Sequence, residues 1–138
     1  MNYPTGLTVH LIIADFRNHR IQSFQCDGTF VFKWGSFGIG DGKLIDPMDV
    51  TIESKNRIIF VVDQGNHRIQ SFRHDGSFVC KWGSYGDNDG QFDYPCRLHY
   101  CKYDDLIYVA DCFTVFKCFQ WLVNLFANGE TMEKMMDN

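Results

Sequence analysis

Short apolar runs separated by turn-forming residues recur along this chain. In its best-preserved stretch they are Asp49–Ile52, Ile58–Val62, Arg68–Phe72 and Ser77–Trp82. Each is about five residues long and rich in Val, Ile and Phe, which is strand length and strand composition. Between them stand Glu53-Ser54-Lys55-Asn56, Gln64-Gly65-Asn66 and His74-Asp75-Gly76, polar clusters of the kind that close tight turns. A Gly/Asp-rich link, Gly83 to Asp93, leads to the next run. No helical stretch lies inside the unit, so a βαβ repeat is excluded and a four-stranded antiparallel sheet is predicted.

The unit is repeated. Asp15, Asp63 and Asp111 stand 48 residues apart. Asn18-His19-Arg20-Ile21-Gln22-Ser23-Phe24 returns as Asn66-His67-Arg68-Ile69-Gln70-Ser71-Phe72, and Lys33-Trp34-Gly35-Ser36 as Lys81-Trp82-Gly83-Ser84. Asp27-Gly28 returns as Asp75-Gly76, Asp41-Gly42 as Asp89-Gly90, and Pro47 as Pro95. Between positions 15–47 and 63–95, 20 of 33 residues are identical, far beyond chance. Four strands every 40–50 residues is the pattern of β-propeller blades.

The seven-residue motif, followed by Asp27-Gly28-Thr29-Phe30-Val31, resembles the NHL repeat. Its second copy, flanked by Val61-Val62-Asp63 and Gly83-Ser84-Tyr85-Gly86, resembles it equally. The likeness runs over roughly Tyr3 to Phe119 and implies an all-β fold of three four-stranded antiparallel NHL-type blades. Their expected extents are about residues 3–46, 47–94 and 95–128, with 129–138 as a C-terminal tail. NHL blades build six-bladed propellers, so three blades are half of a ring. The expected states are a piece of a longer propeller protein, two half-rings joined by self-association, or an open three-blade stack. A worn third copy and a shortened first copy favour the first of these.

In the first copy Pro4 to Asp15 is 11 residues, against 16 from Pro47 to Asp63. Gly6–Val9 and Leu11–Ala14 must therefore join tightly at His10, or the first strand is lost. In the third copy Leu106–Asp111 matches well. Thr114-Val115-Phe116 replaces Asn-His-Arg. A one-residue deletion then aligns Phe116–Phe119 with the third strand, leaving Trp121–Phe126 for the fourth. Glu130–Met136 is expected to be a short helix or frayed tail.

The chemistry in the motif is repeated too. Asp15, Asn18, His19 and Arg20, with Asp63, Asn66, His67 and Arg68, are expected to brace turns and bridge to neighbouring backbone. A residue that recurs in every unit does the same structural job in each. Trp34 and Trp82 are expected between blades, together with the Phe24/Phe72 and Phe30/Phe78 pairs.

The six cysteines form no C-x-x-C pair, so no zinc ribbon is written here and metal and cofactor are both expected to be absent. On an alternating strand Cys96 and Cys101 would face opposite ways, which argues against a site with His99. Neither a secretory signal nor a membrane span is expected from the chain's apolar runs, and a cytoplasmic setting with reduced cysteines is expected.

Among propellers with NHL-like blades, peptidylglycine alpha-amidating lyases hold zinc with a histidine after the blade-opening proline. The matching positions here are Thr5, Met48 and Cys96, so that resemblance implies no lyase activity and a non-catalytic chain. TRIM-NHL proteins bind protein or RNA on the loop face around those prolines, using Arg, Lys and aromatics. The residues here that suit such a surface are Tyr3, Tyr94 and Arg97. A net charge of −4, with Asp46 and Asp49 beside the loops, favours a protein partner over RNA. The resemblance implies an interaction scaffold, as in substrate recognition beside a ubiquitin ligase. No RING, B-box or coiled coil is written in this chain.

Overall fold

The structure is a computed structural model that describes residues 10–113 and the strand Phe119–Leu122. Among these residues ten strands form three antiparallel sheets. The first holds β1 (His10–Asp15), β2 (Arg20–Gln25) and β3 (Phe30–Trp34). The second is a four-stranded meander of β4 (Pro47–Glu53), β5 (Ile58–Asp63), β6 (Arg68–Phe72) and β7 (Phe78–Trp82). The third holds β8 (Pro95–Cys101), β9 (Leu106–Asp111) and β10 (Phe119–Leu122).

The uninterrupted apolar run of β5 is explained by burial on both faces. Ile59 and Val61 join Ile21, Leu44 and Phe72 against the first sheet. Phe60 and Val62 join Ile69, Trp82, Phe92, Leu98 and Ile107 against the third. Burying each such side chain contributes about 1.5–3 kcal/mol, so the middle sheet is held by both neighbours. Trp34 lies 6.0 Å from Phe72 across the first seam, and Trp82 lies 5.9 Å from Phe60 at the second. Side chains of β4 also reach β8: Asp49 Oδ2 accepts from the Leu98 amide at 2.9 Å, and Thr51 from that of Tyr100 at 3.3 Å.

Glycine is required where the link leaves each sheet. Gly83 has φ +98, and a Cβ there would lie 2.5 Å from the Phe92 ring. At the β6–β7 turn Gly76 has φ +87, and a Cβ there would lie 3.1 Å from Trp34.

Two sequence expectations change. The third strand of the last sheet is Phe119–Leu122, with Phe119 paired to Val109 and Leu122 to Leu106. Phe119 takes the place of Gln70 and Trp121 that of Phe72, two residues later than the alignment of Phe116–Phe119 with Ile69–Phe72, and Trp121 and Leu122 belong to this strand rather than to a separate fourth one. The Asn-His-Arg spelling of the β5–β6 corner is absent from the third copy, and Val109 faces Phe119 where its period partner Val61 faces Gln70, one residue beyond the 48-residue period. The other change concerns the first copy. His10–Asp15 pairs along its whole length with Arg20–Gln25, so it fills the second-strand place. Gly6–Val9, Tyr3 and Glu130–Met136 lie outside the described residues.

Candidate functional site

Each of the first two sheets has a polar corner where a three-residue 3-10 turn joins two strands. In the second sheet Asp63 Oδ2 accepts from Asn66 at 2.9 Å, Arg68 Nε at 2.6 Å and Gln70 at 3.0 Å. Its Oδ1 accepts from the Ile45 amide at 2.8 Å. The Arg68 guanidinium also donates to the carbonyls of Ile39, Gly40 and Lys43, and Asn66 to that of Gly38. The corner thus grips the link arriving from the first sheet. With its acceptor and donor positions occupied in this way, the cluster braces the link against the second sheet.

The first corner repeats the pattern. Asp15 accepts from Asn18, Arg20 and Gln22 at 2.7–2.9 Å. The bond from Arg20 holds the Asp15 carboxyl below the ordinary carboxylate range. Here the ion pair is partly solvated, with 30% and 20% side-chain exposure, against 8% and 0% for Arg68 and Asp63.

Beside each corner the histidine closes the turn in the left-handed region, His19 at φ 52 and His67 at φ 51. His19 Nδ1 accepts from the Asp46 amide at 3.0 Å, and His67 Nδ1 from the Tyr94 amide at 3.2 Å. An accepting Nδ1 leaves the ring proton on Nε2. The Asp46 carboxylate lies 3.4 Å from the same His19 nitrogen; because that nitrogen accepts the amide, the contact is not an ion pair. Asp46 and Tyr94 are themselves left-handed, at φ 51 and 58.

Around His67 aromatic rings collect on the surface. Tyr85 and Tyr94 meet its ring edge-on at 4.7 and 4.5 Å, and Phe113 meets Tyr94 at 5.4 Å. Tyr85 and Phe113 are 67% and 73% exposed. The first corner has a smaller version, with Phe37 5.0 Å from His19. Such rings offer large contact area at low entropic cost. They sit on loops anchored by the buried corners, the arrangement that suits binding. Tyr94 therefore stands at the centre of the candidate site. Arg97 is exposed on β8 but makes no ring contact among the described residues, and Asp49 is turned to bracing β8. Tyr85 and Phe113 are not legible as site residues from the sequence: Tyr85 stands in the Gly/Asp-rich link, and Phe113 lies in the worn copy.

The same edge carries a disulfide, Cys96–Cys112, with Cα atoms 5.8 Å apart. This corrects the expectation that all six cysteines are thiols. The physical reason is a bulge: β8 pairs Pro95 with Asp111 and Arg97 with Ala110, leaving Cys96 between them. A bulge re-aims its extra residue, which also voids the alternation argument about Cys96 and Cys101. Cys112 follows the paired Asp111 directly, and its amide donates to the Tyr94 carbonyl at 3.2 Å.

At the opposite end of β8 a cleft of about 280 Å³ is lined by Ser54, His99, Tyr100, Cys101, Lys102 and Tyr103. Tyr100 donates to Asp105 at 2.7 Å, which pushes its phenol up to about 12 and keeps it protonated. Among the described residues no three His, Cys, Asp or Glu side chains gather as a metal site, and no helix is long and apolar enough to cross a membrane.

Comparison with known proteins adds a partial relationship. No family model matches the chain. A stretch of 62 residues is 41% identical to protein brain tumor of Drosophila melanogaster. It is 42% of this chain but 6% of that protein, so the chain spans a small part of this relative. Among solved structures, a candidate exported protein of Bacteroides fragilis superposes with a TM-score of 0.51 at 20% identity. The match covers 85% of this chain and 36% of that one, a likeness of fold alone.

Proposed function

We propose that the three sheets are NHL-type propeller blades and that the chain is a non-catalytic scaffold binding a protein partner at the aromatic rim of His67, Tyr85, Tyr94 and Phe113. The stretch like brain tumor, a TRIM-NHL protein, supports the repeat assignment. The observation that carries the function is the exposed ring cluster fixed to buried corners. Aromatic anchors on a rigid support are the usual centres of protein interfaces. A role in substrate recognition beside a ubiquitin ligase follows from the same family resemblance.

RNA is the second reading, since exposed rings also stack on bases and Arg97 could meet a phosphate. The exposed carboxylates Asp87 and Asp89, on the loop between Tyr85 and Tyr94, weigh against it.

A photo-crosslinking side chain placed at Tyr85 in the full chain tests this in cells. The expected adduct is protein, lost when Tyr94→Ala is added. An adduct that is RNA, and whose formation weakens steeply with salt, would overturn the protein reading.

A further inference from the structure

We propose that the Cys96–Cys112 disulfide is a redox latch at the corner of the third sheet, beside Asp111, whose carboxylate accepts from the Asp93 amide at 2.7 Å. In the second sheet the corner is tied by Asn66, Arg68 and Gln70 around Asp63. One period later those three positions read Thr114, Phe116 and Cys118, so the motif's spelling does not continue in the third copy. The period-related partners of Cys96 and Cys112 are Met48 and Gln64, which cannot be joined. The covalent link thus occurs in the sheet where that spelling stops, and at the same corner.

Its position makes the latch act on the rim. The bond joins the segment after Tyr94 to the segment before Phe113, whose rings are in contact. Closed, it holds Phe113 against Tyr94; opened, it leaves that pair to the Cys112–Tyr94 backbone bond and the strand pairing. The regulatory meaning rests on the rim being the binding surface, whereas the latch itself does not.

Cys112 is exposed, so the bond is within reach of small thiols. Closure requires a thiolate of one cysteine to attack glutathione disulfide, releasing one glutathione thiolate. The second protein thiolate then attacks the mixed disulfide and releases the other. Two protein thiols are oxidised, two protons leave, and one glutathione disulfide becomes two glutathione thiols. Cys80 does not compete, because burial pushes its thiol up and keeps it protonated.

The test is amide hydrogen exchange with peptide mapping on the full chain, poised with glutathione disulfide or with a phosphine reductant. The oxidised chain is expected to yield a linked Cys96–Cys112 peptide. Exchange over 94–97 and 111–113 should be on the order of 100-fold faster after reduction, with 58–72 unchanged. Cys112→Ser should show the reduced pattern in either poise. If that variant unfolds, the redox titration of the native chain provides the same comparison. Absence of the linked peptide, or equal exchange in the two poises, overturns the latch. Exchange reads the corner and not its partners, so a rim that captures nothing would sink the binding reading alone.

Discussion

Tyr94 separates stability from binding within one residue. Its left-handed backbone costs a non-glycine residue about 1–2 kcal/mol, and asparagine tolerates that region better. Its ring contacts with His67 and Phe113 return about 0.5–1.5 kcal/mol each. Tyr94→Asn should therefore leave the melting midpoint nearly unchanged while removing partner capture. A large fall in thermal stability would show the ring to be core rather than surface. Asp75 makes a different residue-scale prediction. The hydroxyl and amide of Ser77 donate to its carboxylate and hold its pKa below the ordinary 3.8. The unfolded chain then binds the proton first as pH falls. Stability from this turn is complete above the unfolded value and disappears as pH falls through the folded one. Asp75→Asn should flatten the acid limb of a stability–pH curve below about pH 4, and an unchanged limb would contradict the turn's role.

At the scale of elements, one motif in two settings has two energies. Arg68 and Asp63 are buried, and removing the guanidinium leaves a buried carboxylate that has lost its charge partner. Arg68→Ala should cost about 3–5 kcal/mol. Arg20 and Asp15 are partly solvated, so Arg20→Ala should cost about 1 kcal/mol or less. Equal losses in chemical denaturation would mean that burial does not govern the corner. The contrast also marks a limit of sequence reading. The motif copies are identical from Asn18 to Phe24 and from Asn66 to Phe72, and nothing in the letters shows which guanidinium is buried. The bulge at Cys96 was equally hidden, because a single unpaired residue leaves no trace in an apolar–polar pattern.

At the scale of the whole molecule, the first sheet keeps an open apolar face among the described residues. Leu11 and Ile13 are 47% and 46% exposed, whereas their period partners Ile59 and Val61 are 1% and 0% exposed beneath the first sheet. Phe30 is exposed in the same way, and its partner Phe78 packs into the seam. A face built for a neighbouring sheet and left uncovered favours association. Ile13→Lys should reduce self-association in sedimentation without a large loss of stability, whereas Val61→Lys should abolish folding. If Ile13→Lys unfolds the chain, the face is covered by something within it.

The sequence by itself determined the period, the strand composition, the antiparallel sheets and the recurring polar corner, because each follows from local patterning and 48-residue identity. Only the tertiary structure decided which copy of a residue is buried, that a bulge turns Cys96 towards Cys112, and that Tyr85, Tyr94 and Phe113 meet around one histidine. Burial and cross-sheet neighbours depend on what stacks against each sheet. A repeat whose copies are spelled alike does not record its neighbours.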